Sequence, residues 1–131
     1  MNKSIEEIVE DLVKKEDDPV YRAAVDILKA LYILYGSAWE SELKDTLMGL
    51  WGIRGLSLSE IAEIEKMIPK AAGVLDKLGV VKVEDRFRAD LGKPKPVKER
   101  FYEVNNLTAL LRAFSSDREI DRYRYEVSGT I

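Results

Sequence analysis

At 131 residues with 46% hydrophobic side chains, the chain is long enough for one packed core and short of the length that two would need. Its 21 Lys and Arg against 24 Asp and Glu give a formal charge of −3, which excludes a polybasic protein whose whole surface binds polyanions. The absence of Cys and His excludes thiolate nucleophiles, disulfides, most zinc sites and histidine acid–base chemistry.

The first segment has apolar residues at Ile5, Ile8, Val9, Leu12 and Val13, a spacing that predicts an amphipathic helix of about four turns ended by Asp17, Asp18 and Pro19. Beyond the proline, Val20, Ala24, Ile27, Leu28, Leu31 and Leu34 predict the first core helix, with Gly36 at its C-cap. Residues 37–40 are long enough only for a turn or a brief extended pairing, and a short helix is expected from Ser41 through Leu43, Leu47 and Leu50. Gly49, Gly52 and Gly55 around Trp51, Ile53 and Arg54 predict an apolar loop up to Leu56, tucked against the body or a partner. Ser57 and Glu60 form a capping-box pattern, and Ile61, Ile64, Ile68, Ala72, Leu75 and Leu78 continue as a long helix that Pro69 must kink or split.

After Gly79 the period drops to two. Val81, Val83 and Phe87 alternate with Lys82, Glu84, Arg86 and Arg88, so a strand begins; Gly92 to Pro96 cannot extend a paired ladder and reads as a hairpin tip, with a return strand from Glu99 to Val104. Leu107, Leu110, Leu111 and Phe114 predict another helix, and Ser116 with Glu119 a cap for a last one. Arg122 to Tyr125 alternate in a way that fits helix or β-edge. Trp39, Trp51, Tyr32, Tyr35, Tyr123 and Tyr125 are expected in core or interface positions.

The fold class expected is mainly α with a small β-hairpin wing. The stretch Asp26 to Gly36 followed by Ser41, Glu42 and Leu43, together with the Leu75-to-Val81 exit into the hairpin, resembles the winged helix-turn-helix superfamily of DNA-binding proteins over roughly residues 20–104. The resemblance implies a single domain: an N-terminal helix over 1–18, a winged-helix core over 20–104, and a C-terminal helical extension over 105–131 suited to dimerisation. It also implies a sequence-specific transcription regulator that binds double-stranded DNA, is not an enzyme and needs no cofactor. Two layouts are open. In the preferred one, 41–50 is the second helix and 57–78 a kinked recognition helix; in the other, 59–66 and 69–78 fill those places.

Local charge carries the DNA reading. Residues 1–65 hold 7 basic and 14 acidic side chains, whereas 66–100 hold 10 basic and 5 acidic. On a helical wheel about Ile61, Ile64, Ile68, Ala72 and Leu75 lie within about 60°, while Lys66, Lys70 and Lys77 lie about 120° to 180° away, with Ser59 and Glu63 on the same side. The candidate DNA contacts are therefore Ser59, Lys66, Lys70 and Lys77 on the helix and Arg86, Arg88, Lys93, Lys95, Lys98 and Arg100 on the hairpin. Plain surface solvation of the helix, and protection of an exposed hairpin edge by Lys and Pro, are the structural alternatives. A second functional reading is a protein–protein interaction module, a subunit of a larger assembly that uses the 49–56 loop and the terminal helices. Those helices also predict a homodimer reading two half-sites about one turn apart.

Gln is absent and charged residues make up 34%, a tendency of proteins from hot environments, which with the resemblance suggests an archaeal or other thermophilic source. No apolar run nears the ~20 residues of a membrane span and the acidic start does not read as a signal peptide, so no membrane and a cytoplasmic, nucleoid-associated location are expected.

Overall fold

A computed structural model of the chain describes residues 3–128. Ser4 opens α1 (Ile5–Lys14) with a capping box, its side chain accepting from the Glu7 N–H while Glu7 reaches back. The helix is shorter than expected because Asp18 belongs to the next one. There its carboxylate accepts from the Val20 and Tyr21 N–H groups, and Pro19 takes the first position of α2 (Pro19–Ile33). Most of α2 is buried, with Ala24, Ile27, Leu28 and Leu31 at its centre, so it is the helix around which the core forms.

Tyr35 and Gly36 both have left-handed φ, 62° and 102°, and turn the chain sharply into β1 (Ser37–Trp39). A side chain at Gly36 would also meet Val104 at 3.2 Å, just where the Gly36 carbonyl accepts from the Val104 N–H. Tyr35 and Tyr125 depart from the expected core positions of the aromatics: this tight turn leaves the Tyr35 ring in solvent, and Tyr125 is exposed on the last helix.

The next helix corrects the sequence reading. α3 (Glu40–Arg54) runs for 15 residues, so the expected apolar loop over 49–56 is mostly helix, and Leu50 and Trp51 are in the core. Glycine lowers intrinsic helix propensity, but tertiary packing decides here. A Cβ at Gly49 would come within 2.4 Å of the Tyr123 ring, so this position is small because another helix crosses it. Only Gly55, at φ 77°, acts as a C-cap, and the connection to α4 (Leu58–Lys77) is short, closed by the Ser57–Glu60 capping box. Pro69 does not split α4, so the layout with separate helices at 59–66 and 69–78 is not found. Pro69 is exposed, while Ile68, Ala71, Ala72 and Leu75 are buried around it.

β2 (Val81–Arg88) and β3 (Val97–Val104) form the hairpin, whose return strand starts two residues earlier than expected. The sheet is antiparallel in the order β1-β3-β2, with Ala38 opposite Tyr102 and Val83 opposite Tyr102 on its other side. α5 (Leu107–Phe114) and α6 (Arg118–Ser128) close the chain; Asp117, not Ser116, caps α6 through the Ile120 N–H at 3.0 Å. The stretch from Arg122 to Tyr125 is therefore helix. The described chain is mainly helical with one small three-stranded sheet, and none of its helices is long and apolar enough to cross a membrane.

The terminal helices pack against one another and the core within the chain. Val9 and Leu12 of α1, Leu110 and Phe114 of α5, and Ile120 of α6 are all buried, and Arg112 binds both oxygens of Glu6 across α1 and α5. α6 is fastened by charge as well. Arg54 donates to Asp26 of α2 at 2.7 and 3.1 Å and to Glu119 of α6 at 2.8 and 3.1 Å, and Lys29 lies 3.1 Å from Asp117. Asp26 is only 2% exposed and takes a third bond from the Trp51 indole N–H at 3.0 Å.

Burial pushes the Glu119 carboxyl up, but Arg54 and Lys29 more than offset it and hold the group below its ordinary value of 4.5. A carboxyl whose pKa is lower in the folded state contributes stability that is complete above the unfolded value and lost as pH falls through the folded one. The urea midpoint should therefore hold steady down to about pH 5 and decline below 4.5. Glu119→Gln should lower the neutral plateau and shallow that decline; an unchanged acid limb would show that Glu119 is not among the responsible groups.

Candidate nucleic-acid interface

Ser59, Lys66, Lys70 and Lys77 all lie exposed on α4, opposite the buried side formed by Ile61, Ile68, Ala72 and Leu75. Lys66 is 3.4 Å from Glu63 with both side chains well exposed, a contact too weak to hold it. Among the described residues, Lys70 and Lys77 make no ion pair, and neither do Lys93 and Lys95 at the exposed hairpin tip.

The strand register sorts the remaining hairpin cations. Directly opposed residues of an antiparallel pair share a face, so Val81 with Val104, Val83 with Tyr102, Asp85 with Arg100 and Phe87 with Lys98 point one way. That face is the core face, because Val81 and Tyr102 are buried, and it is the side on which α4 packs. Lys82, Glu84, Arg86 and Arg88 point the other way, with Phe101 and Glu99. Lys98 and Arg100 are thus on the α4 side and Arg86 and Arg88 are not.

Both outer arginines have structural partners. The Arg86 guanidinium lies 4.3 Å from the centre of the Phe101 ring and donates to Glu84 at 2.6 Å; Phe101 in turn packs edge-on against Trp39 at 5.0 Å. Arg88 is paired with Glu99, whose other oxygen accepts from the Ser41 N–H at 2.7 Å and so anchors the first turn of α3. Burial raises the Glu99 carboxyl, but the Ser41 and Arg88 contacts outweigh it and hold it low. This aromatic and charged cluster on the outer sheet face was not found from sequence. Its only signal was the alternation in the hairpin, which places Phe101 beside Arg86 once the register is known.

The cations do not merge into one patch. Between α4 and the hairpin lies a cleft lined by Gly73, Asp76, Val83, Glu84, Asp85 and Arg100. Asp76 accepts from the Val83 N–H at 3.3 Å, which satisfies one outward group of the β2 edge, and Lys98 is 3.9 Å from Asp85. Arg100 lies beside the Tyr102 hydroxyl, which donates to Glu40 at 3.3 Å; burial, reinforced by Glu40, pushes Tyr102 up to about 12. The surface is therefore two cationic points, the α4 lysines and the hairpin tip, divided by an acidic cleft. Among the described residues no cluster of three or more metal-ligating side chains occurs.

No protein-family model matches the chain, and no curated protein or solved structure matches it significantly.

Proposed function

We propose that the protein is a winged helix-turn-helix protein that binds double-stranded DNA and regulates transcription. The observation that carries this reading is the set of exposed cations without ion pairs, Lys70 and Lys77 on α4 and Lys93 and Lys95 at the hairpin tip. The element order from α2 to β3, the sheet order β1-β3-β2 and the short α3–α4 connection support the fold named. In this reading α4 enters a major groove with Ser59, Lys66, Lys70 and Lys77 facing the duplex, and β2–β3 is the wing. Lys93, Lys95, Lys98 and Arg100 neutralise flanking phosphates, while Arg86 and Arg88 shape the wing from its outer face. The acidic cleft faces the groove between the two contacts, where carboxylates can accept from cytosine amino groups.

The interaction-module reading named the 49–56 stretch and the terminal helices as its surface. Leu50, Trp51, Leu12 and Leu110 are buried within the chain, while Leu111, Tyr125 and Val127 of the terminal helices are exposed.

Fluorescence anisotropy with a mixed-sequence duplex should show binding that weakens steeply with salt, by about 0.9 in the log–log slope for each phosphate neutralised. Selection from a random library separates base reading from clamping. Lys70→Ala should alter the selected sites, at ~1 to 3 kcal/mol for a lost bidentate-quality contact, whereas Lys93→Ala should weaken every site alike. Identical preferences for wild type and Lys70→Ala would mean that Lys70 reads no base.

A further inference from the structure

The hairpin tip presents two apolar side chains that the fold does not use: Phe87 is 71% exposed and Leu91 is fully exposed. Single surface hydrophobes are ordinary; what sets these apart is how they are held. Asp90 to Lys93 form a turn closed by the Lys93 N–H on the Asp90 carbonyl at 3.0 Å, and the Asp90 carboxylate accepts from the Gly92 N–H at 3.0 Å. Leu91 occupies the second position of this doubly tied turn, so an ordered backbone carries it at the apex. Pro94 and Pro96 fix φ in the arm that follows. Phe87 stands opposite Lys98 on the α4 side, and Lys93 and Lys95, on the arm after the apex, make no ion pair among the described residues.

An apolar apex with Lys93 and Lys95 on the arm that follows it, and with the Asp90 carboxylate tied to the Gly92 N–H, complements a polyanion whose hydrophobic interior lies between its charges, which describes stacked bases behind phosphates. We propose that Leu91 is a wedge that enters the minor groove beside the α4 site, partly unstacks one base step and bends the duplex. The inference rests on the DNA-binding reading and adds a specificity device to it. Steps that unstack easily, pyrimidine–purine above all, are favoured under the wedge although no hydrogen bond reads them. An anionic bilayer offers the same charge, but two cationic points separated by an acidic cleft suit a grooved rod with recurring phosphates better than a uniform plane.

The test uses the full chain and end-labelled duplexes of roughly 30 bp with a TA or an AA step at the wedge position, read by anisotropy for binding and energy transfer for bending. Wild type should bind and bend the TA duplex by somewhere in the range of about 20 to 90°. Leu91→Ala, at a position with no packing to lose, should bind within about tenfold of wild type while losing the bend and the TA preference, and Leu91→Phe should restore both. Binding without bending by wild type, or an undiminished bend with Leu91→Ala, overturns the wedge and leaves DNA binding standing. No binding to either duplex at low salt overturns both, and capture by phosphatidylserine vesicles in that case assigns the tip to a lipid surface.

Discussion

Arg54→Ala is expected to cost about 3 to 5 kcal/mol of folding stability, with a fall in Tm of roughly 10 to 20 °C. Arg54 is the meeting point of three helices: its guanidinium binds Asp26 of α2 and Glu119 of α6 from the last turn of α3. Burial alone would lower its pKa, but the hydrogen bonds it donates to Glu119 and Asp26 carry it above its ordinary value, so it is charged throughout. Remove it, and a 2% exposed carboxylate keeps only the Trp51 N–H. That uncompensated charge, rather than the lost pair energy, sets the size of the effect. The double variant Asp26→Asn/Arg54→Met separates the two, because a neutral amide still accepts from Trp51 while methionine fills the space. It should recover most of the loss in a chemical-denaturation series. A single-variant cost below ~1 kcal/mol would show that Asp26 finds water when Arg54 is gone.

The sequence was most legible where one pattern ran long. The helix from Ser57 onward could be placed from its capping box and the Ile61-to-Leu75 spacing, and the hairpin from the change of period after Gly79. It was least legible at Gly49 and Gly52, where local propensity argued for a loop and tertiary packing overrode it: Gly49 is the place where Tyr123 crosses α3, and no property of residues 49–56 announces a ring from a helix some seventy positions later. The packing of the terminal helices was hidden for the same kind of reason. Amphipathic terminal helices need a partner surface, but sequence does not say that α1 and α5 supply it to each other. For the candidate site, residue types were readable and their division was not. Counting charge gave Arg86, Arg88, Lys93 and Lys95 equal standing, and only the register distinguishes cations already committed to Glu84, Glu99 and Phe101 from cations with nothing to neutralise them.

That division gives the binding prediction of largest effect. Replacing Lys70, Lys93 and Lys95 together with Glu should abolish duplex binding, whereas Arg86→Gln with Arg88→Gln should reduce it less than about tenfold. Each phosphate contact contributes about 0.9 to the salt slope, so merely neutralising Lys93 and Lys95 should lower affinity on the order of 10²-fold at 0.1 M salt, loss of the Lys70 base contact adds to this, and reversal adds repulsion. The arginine pair should act on folding instead. Without Arg88, Glu99 keeps only the Ser41 N–H, and without Arg86 the Phe101 ring loses its cation and Glu84 a partner. Because both arginines point away from α4, their loss changes the stiffness of the wing and not the charge that faces the groove. Anisotropy titrations of the two variants, with circular dichroism to show that the lysine variant is folded, decide between the faces. Equal losses from both would place the contact on the outer face of the sheet, with Trp39, Phe101 and Arg86 as the surface that meets nucleic acid and α4 turned away from it.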